Sequence, residues 1–176
     1  MVFISRYISP LGGITLASDG ETLTGLWFDG QKYFGDTLPD AYHEEECPVF
    51  GLAKRWLDTY FAGQQPDFTP PLTLRGSPFR LAVWEQLMRI SYGQVTTYGA
   101  IAAQLAAQQG GKRVSAQAVG GAVGHNPVSI IVPCHRVVGS SGSLTGYAGG
   151  VDKKAALLRL EGADTGRLFV PQTCDT

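Results

Sequence analysis

The sequence predicts an α/β first domain, made of a small antiparallel sheet plus one helix, followed by a mainly α second domain with a helix-turn-helix and a short active-site strand. Three observations predict it. Short β-rich runs punctuated by Gly12-Gly13 and Asp19-Gly20 open the chain, and Asp-Gly is a strong hairpin signal. The stretch Gln64-Gln65-Pro66-Asp67-Phe68-Thr69-Pro70-Pro71 has three prolines and no helical period, as in a linker. Beyond Ser77, helical stretches rich in alanine alternate with glycine turns. The expected division is a first domain over 1–70, a linker over 71–76 and a second domain over 77–176.

The first domain is read as strands over 2–8, 13–18 and 22–28 and a helix from Pro48 to Ala62. Proline suits the first helical position and Gly63 the end. Phe50, Ala53, Trp56, Leu57 and Tyr60 form that helix's apolar stripe. Cys47 follows Glu44, Glu45 and Glu46, whose charges disfavour a thiolate, so it reads as inert.

The second domain opens on the cap Ser77 and Pro78, with Phe79, Val83, Trp84 and Leu87 on one helical face. A turn at Ser91-Tyr92-Gly93-Gln94 leads to a helix near Tyr98–Gln108. Gly110-Gly111-Lys112-Arg113 breaks it, and a third helix starts near Ser115. Helix, glycine turn, helix fits either a DNA-binding helix-turn-helix or an ordinary helical hairpin. Gly120, Gly121 and Gly124 each cost that third helix about 0.5–1 kcal/mol relative to alanine. Either close packing on another backbone or close approach of a ligand would account for them.

Composition bounds the function. The 176 residues carry a net charge of −1, with 44% hydrophobic and 16% charged residues, which is a globular composition able to bury a core. No apolar run reaches the roughly 18 residues of a membrane span, and Met1-Val2-Phe3-Ile4-Ser5-Arg6 is unlike a signal peptide. Cys47, Cys134 and Cys174 are too few and scattered for a disulfide framework, and none lies in CxxC. No metal and a reducing, cytoplasmic setting are expected. Residues 1–76 hold 5 Lys+Arg and 10 Asp+Glu, whereas residues 77–176 hold 9 and 5. The halves therefore differ in sign, −5 against +4, which suits different partners or simple surface variation.

The chemistry concentrates late in the chain. Ile130-Ile131-Val132 reads as a buried strand, ended by Pro133, so that Cys134 stands at a strand terminus beside His135 and Arg136. A buried cysteine is commonly an inert hydrophobe, but cationic neighbours lower a thiol's pKa. Adjacent side chains in extended backbone diverge, so a Cys134–His135 link is easier through a water. The loop Gly139–Gly150 suits either a pocket wall or a plain surface loop. Asp152 is expected to cap a last helix, Lys153–Glu161, ended by Gly162. A carboxylate in a helix's last turn opposes the dipole, so Glu161 either has a partner, with His135 the candidate, or is solvated.

Asn126-Pro127, Pro133-Cys134-His135-Arg136-Val137, Gly146-Tyr147-Ala148-Gly149-Gly150 and Leu158-Arg159-Leu160-Glu161-Gly162, in this order and spacing, resemble the O6-alkylguanine-DNA alkyltransferases. The likeness covers residues 77 to about 165. Residues 1–70 resemble that family's variable first domain only in size and strand pattern.

The resemblance implies a single-turnover DNA repair protein. It would move an alkyl group from guanine O6, or thymine O4, irreversibly to Cys134, without a cofactor. It implies a relay of Glu161, His135, a water and Cys134. Tyr98 would hydrogen-bond guanine N3, and Asn126 would brace the turn before the reactive cysteine. The carbonyls of Val137 and Cys134 and the N–H of Ala148, where the family usually has serine, would hold the base. Tyr147, Gly149 and Ser140 would complete that pocket.

The implied partner is duplex DNA containing O6-alkylguanine, read from the minor groove with the base flipped out. Ser115, Ala118, Gly121 and Ala122 on the third helix, with Gly120 beside them, would face that groove, aided by Arg113 and Arg136. The arginine that the family usually inserts into the vacated stack is Gln117 here, which has no charge and cannot stack as a guanidinium does. No membrane association is expected, and a monomer is. Two alternatives are a non-enzymatic alkylated-DNA binder, against which Cys134 argues, and an alkylation sensor, for which no second DNA-binding region is visible.

Overall fold

A computed structural model describes residues 1–170. The expected Cys174 lies outside the described residues. Strands β1 (Phe3–Ser9), β2 (Gly12–Ser18) and β3 (Leu23–Phe28) form an antiparallel meander. A two-residue strand, β4 (His43–Glu44), adds to β1 in parallel, giving the order β3-β2-β1-β4. The sheet is therefore mixed rather than purely antiparallel. Helix α1 (Pro48–Phe61) packs on it, with Pro48 at its first position and Gly63 at φ +83 just past its end.

Residues 71–73, in the expected linker, run beside the start of β3. The Leu23 N–H donates to Pro71 O (2.8 Å) and the Thr73 N–H to Leu23 O (3.0 Å).

The second half is helical. Helix α2 (Pro78–Met88) is capped by Ser77, whose Oγ accepts from the Arg80 N–H. After a short strand, β5 (Thr96–Thr97), come α3 (Tyr98–Gln108) and α4 (Ala116–Gly124). Ser115 caps α4, accepting from the Ala118 N–H at 3.0 Å. The last elements are β6 (Val137–Val138), parallel to β5, and α5 (Val151–Leu160). Gly150, not Asp152, is the N-cap of α5. Asp152 falls inside the first turn, where its charge still favours the helix dipole.

One hydrophobic core runs through both halves. Leu16, Phe28, Phe50 and Tyr60 from the first meet Trp84, Ile101, Val119, Val128, Val132, Cys134 and Leu157 from the second. None of the described helices is long and apolar enough to cross a membrane.

The expected strand over Ile130-Ile131-Val132 is absent. Val128 makes a single bridge to Leu26 of β3, with the Leu26 N–H donating to Pro127 O (2.8 Å) and the Ser129 N–H to Leu26 O (2.9 Å). The chain then turns sharply. Ile131 N–H reaches back to Ser129 O (2.8 Å) around Ile130, which has φ +70. A β-branched residue there is strained by roughly 1–3 kcal/mol. A second tight turn follows around Pro133, with the Cys134 N–H on Val132 O at 2.8 Å. Cys134–Arg136 is one turn of 3-10 helix that precedes the short strand β6. Burial of the apolar run is as expected, but it is achieved in turns.

Candidate active site

Asn126 holds this strained segment. Its Nδ2 donates to Val132 O (2.8 Å) and Val128 O (3.3 Å), and its Oδ1 accepts from the Val128 N–H (3.1 Å). Cys134 is 4% exposed. Burial pushes its thiol up, while Asn126, the Lys154 charge and the backbone N–H groups of Cys134 and His135 oppose that rise.

His135 is fully buried, with Nε2 2.5 Å from Glu161 Oε2. Burial lowers its pKa and the Glu161 carboxylate works against that. Its Nδ1 is buried and has no partner among the described residues. Glu161, at the C-cap of α5, is the acceptor of a dense set of donors. Oε2 takes His135 Nε2, the Tyr60 hydroxyl (2.6 Å) and Arg136 Nη2 (3.1 Å). Oε1 takes Arg136 Nε (2.8 Å) and the Gly93 N–H (3.1 Å). Burial alone would raise its carboxyl, but His135 and Arg136 hold it down at about 2. The carboxylate that opposes the helix dipole is thus partnered, not solvated.

Arg136 was expected on DNA. It is instead buried and forks onto Glu161, with Nη1 on Ile90 O at 2.7 Å. Ala122 was also expected there. It is 3% exposed and its carbonyl accepts from Trp84 Nε1 (2.8 Å), so it faces the core. Arg113, Ser115, Gln117, Ala118 and Gly121 are exposed along α4 and the turn before it. A Cβ added at Gly121 would meet nothing within 4 Å, and one at Gly120 would touch only the Tyr98 ring, at ordinary distance. Internal packing therefore does not require glycine at either position.

The loop over 139–150 lies beside α4. Lys32, Tyr33, Gly120, Gly121, Gly124, Gly146, Tyr147 and Ala148 line a cavity of about 290 Å³. The Ala148 carbonyl accepts from the Lys32 N–H (3.0 Å), while the Ala148 N–H makes no hydrogen bond among the described residues. Tyr147 places its hydroxyl in the interior without a partner there. A Cβ on Gly149 would strike the Tyr147 ring at 2.6 Å, and Gly146 has φ +84 with the Tyr98 hydroxyl 2.7 Å from where its Cβ would lie. Tyr98 donates to Thr145 O (3.0 Å); burial first, then the Cys134 charge, pushes its phenol up to about 12. Val137 sits in β6, its N–H on Cys134 O. Ser140 is in an exposed turn, with no hydrogen bond to Cys134, His135 or Glu161 among the described residues.

Two residues escaped the sequence reading. Lys154 is completely buried, with Nζ on Thr145 O (2.9 Å) and 5.7 Å from the Tyr98 ring centroid. Burial brings its ammonium down to about 8. Its spacing with Leu157, Leu158 and Glu161 places it on the inward face of α5, and a lysine on such a face is the signal that was available. Tyr60 was read only as core.

A buried cysteine, a carboxylate-bound histidine in the same turn and a glycine-faced helix beside them define a protein-thiol site next to a nucleic-acid-type helix-turn-helix. The chain belongs to the 6-O-methylguanine DNA methyltransferase family. The family's DNA binding domain matches residues 78–163 and its ribonuclease-like domain residues 2–74. The chain is 47% identical over 162 residues to the methylated-DNA–protein-cysteine methyltransferase of Mycobacterium tuberculosis (strain H37Rv), covering 92% of this chain and 93% of that protein. It is 38% identical over 161 residues to the Haemophilus influenzae protein of the same name, covering 91% and 86%. The solved structure of M. tuberculosis OGT in complex with DNA superposes with a TM-score of 0.78 at 42% identity, covering 94% of each chain. An O6-methylguanine DNA methyltransferase from Methanococcus jannaschii gives 0.60 at 28% identity, covering 93% of this chain and 94% of that one.

Proposed function

We propose that this protein repairs alkylated DNA by direct reversal, taking the alkyl group from guanine O6, or thymine O4, onto Cys134 and acting once. The observation that carries it is the turn that joins Cys134 to His135, with His135 Nε2 2.5 Å from Glu161. Glu161 fixes the tautomer in which Nε2 carries the proton, leaving Nδ1 as a base. The thiol proton passes to Nδ1 through a bridging water, and Glu161 stabilises the resulting imidazolium. The thiolate sulfur attacks the alkyl carbon, an S–C bond forms, the C–O bond breaks, and the electron pair leaves with the base. Tyr98, protonated at neutral pH, donates to the leaving guanine at N3. The free Ala148 N–H is the donor for O6, and the Val137 and Cys134 carbonyls accept from the exocyclic amine. Tyr147 and Gly149 form the pocket wall, and Ser140 lies at its outer margin.

The low exposure of Cys134 means that a base must enter past the loop over 145–149. That loop is held by Tyr98 and Lys154 on Thr145 O and by Lys32 on Ala148 O. Only an extrahelical base fits such a site, and flipping costs a few kcal/mol. Exposed small residues on α4 suit a minor-groove approach, with Arg113 and Ser115 at its start. The protein acts as a monomer in the compartment that holds the DNA. Wild-type protein should take up one methyl per chain from an O6-methylguanine duplex and then stop. Cys134→Ala should take up none while still binding the lesion. Uptake by Cys134→Ala would overturn the proposal.

Gln117 occupies the place from which a side chain would fill the vacated stack. Gln117→Arg should speed reaction with duplex DNA and leave reaction with free O6-benzylguanine unchanged. Equal acceleration of both would show that position 117 plays no part in flipping.

A further inference from the structure

The relay carboxylate has a partner from the other half of the chain. Tyr60, on α1, lies 101 residues before Glu161 and donates its hydroxyl to Oε2 at 2.6 Å, the same oxygen that His135 Nε2 meets at 2.5 Å. The hydroxyl is also 3.5 Å from Nε2 itself. Its ring cannot wander. It stacks on Trp56 (centroids 5.2 Å, 10° between planes) and stands edge-on to Phe61 and Tyr92. Apolar packing alone would be served by phenylalanine, as at Phe50 and Phe61 of the same helix. What tyrosine adds is one buried hydroxyl, and it is aimed at the relay.

We propose that Tyr60 is a positioning residue of the relay. Its hydroxyl fixes Glu161 Oε2 against His135 and shares that oxygen's charge, which keeps the imidazole neutral and Nδ1 free to accept the thiol proton. This rests on the alkyl-transfer reading above.

The electrostatics favour it. Burial and the neighbouring Glu161 charge raise the Tyr60 phenol far above neutrality, so it remains a donor. The other charged or titratable groups facing the pair are Arg136 from the same turn, Lys154 from α5, the Cys134 thiol, and the phenols of Tyr92 and Tyr147. Among these, only Arg136 also donates to Oε2, and its fork is fixed by Oε1 and Ile90 O. A donated hydrogen bond makes a carboxylate less basic. Without it, Glu161 stabilises imidazolium more strongly, His135 protonates at higher pH, and a protonated His135 cannot accept the thiol proton.

The test is the pH profile of methyl uptake by wild type and Tyr60→Phe, with an O6-methylguanine duplex and with free O6-benzylguanine. The acid limb should move to higher pH by about half a unit to one unit with both substrates. The plateau rate at high pH should stay within about twofold, and lesion binding should be unchanged. A uniform fall in rate with an unmoved limb would reduce Tyr60 to packing and overturn the proposal. Should Tyr60→Phe fail to fold, a difluorotyrosine placed at position 60 keeps the ring and is a stronger donor. It should move the limb to lower pH, and an unmoved limb would overturn the proposal. Wild type that folds but takes up no methyl would overturn both this role and the alkyl-transfer reading. Uptake with an unmoved limb would overturn this role alone.

Discussion

Glu161→Gln should lose alkyl transfer and destabilise the fold by about 3–5 kcal/mol, the cost of leaving a buried charge without its partner. The charge is Arg136, whose Nε and Nη2 both end on the Glu161 carboxylate. Glutamine has a similar shape but carries an NH2 in place of one oxygen. Every group facing that carboxylate within hydrogen-bonding distance is a donor: His135 Nε2, the Tyr60 hydroxyl, Arg136 and the Gly93 N–H. In either orientation the amide sets donor against donor.

The pH dependence follows from the depressed carboxyl. Its folded value is about 2, against an ordinary 4.5. A depressed acid contributes its stability in full above the ordinary value and loses it as pH falls through the folded one. The gap in unfolding free energy between wild type and Glu161→Gln should thus be widest above about pH 5 and shrink steadily from pH 4.5 toward 2. Chemical denaturation at a series of pH values measures it. A gap below about 1 kcal/mol at neutral pH, with transfer retained, would contradict the arrangement.

Asn126→Ala should have the next largest effect, a loss of about 2–4 kcal/mol together with at least about a tenfold fall in transfer rate. The amide satisfies Val132 O, Val128 O and the Val128 N–H, all in the interior. Those three contacts keep Ile130 at φ +70, a conformation an isoleucine leaves when it can. Alanine strands the backbone groups and removes a neighbour that opposes the rise of the Cys134 thiol, so the thiol becomes a weaker acid. Denaturation midpoints give the first effect and single-turnover kinetics the second. Stability and rate both within twofold of wild type would contradict the bracing role.

The helices were legible because caps and glycine stops are local chemistry: α3 was expected at Tyr98–Gln108 and is found there. So was the meander, whose turns fall at Gly12 and Gly20. Cys134, His135 and Glu161 were legible as a set through four spaced motifs. The backbone route into Cys134 was not. Three β-branched or apolar residues in a row read as a strand, and only long-range contacts, Leu26 with Val128 and Asn126 with Val132, turn them into tight turns. Arg136 shows the same limit. An arginine beside a DNA-directed site reads as a DNA contact until its carboxylate is located 25 residues away. Tyr60 and Lys154 were hidden for a related reason, since a helical stripe tells which residues point inward but not which polar atom they meet.

The most direct test of the whole account is to react the folded protein with an O6-methylguanine duplex, digest it, and locate the adduct by peptide mass spectrometry. A single methyl on the Cys134 peptide, with the Cys47 and Cys174 peptides unmodified, is the predicted result. An unmodified Cys134 in protein that folds and binds the duplex, or a methyl on either of the other cysteines instead, would contradict it.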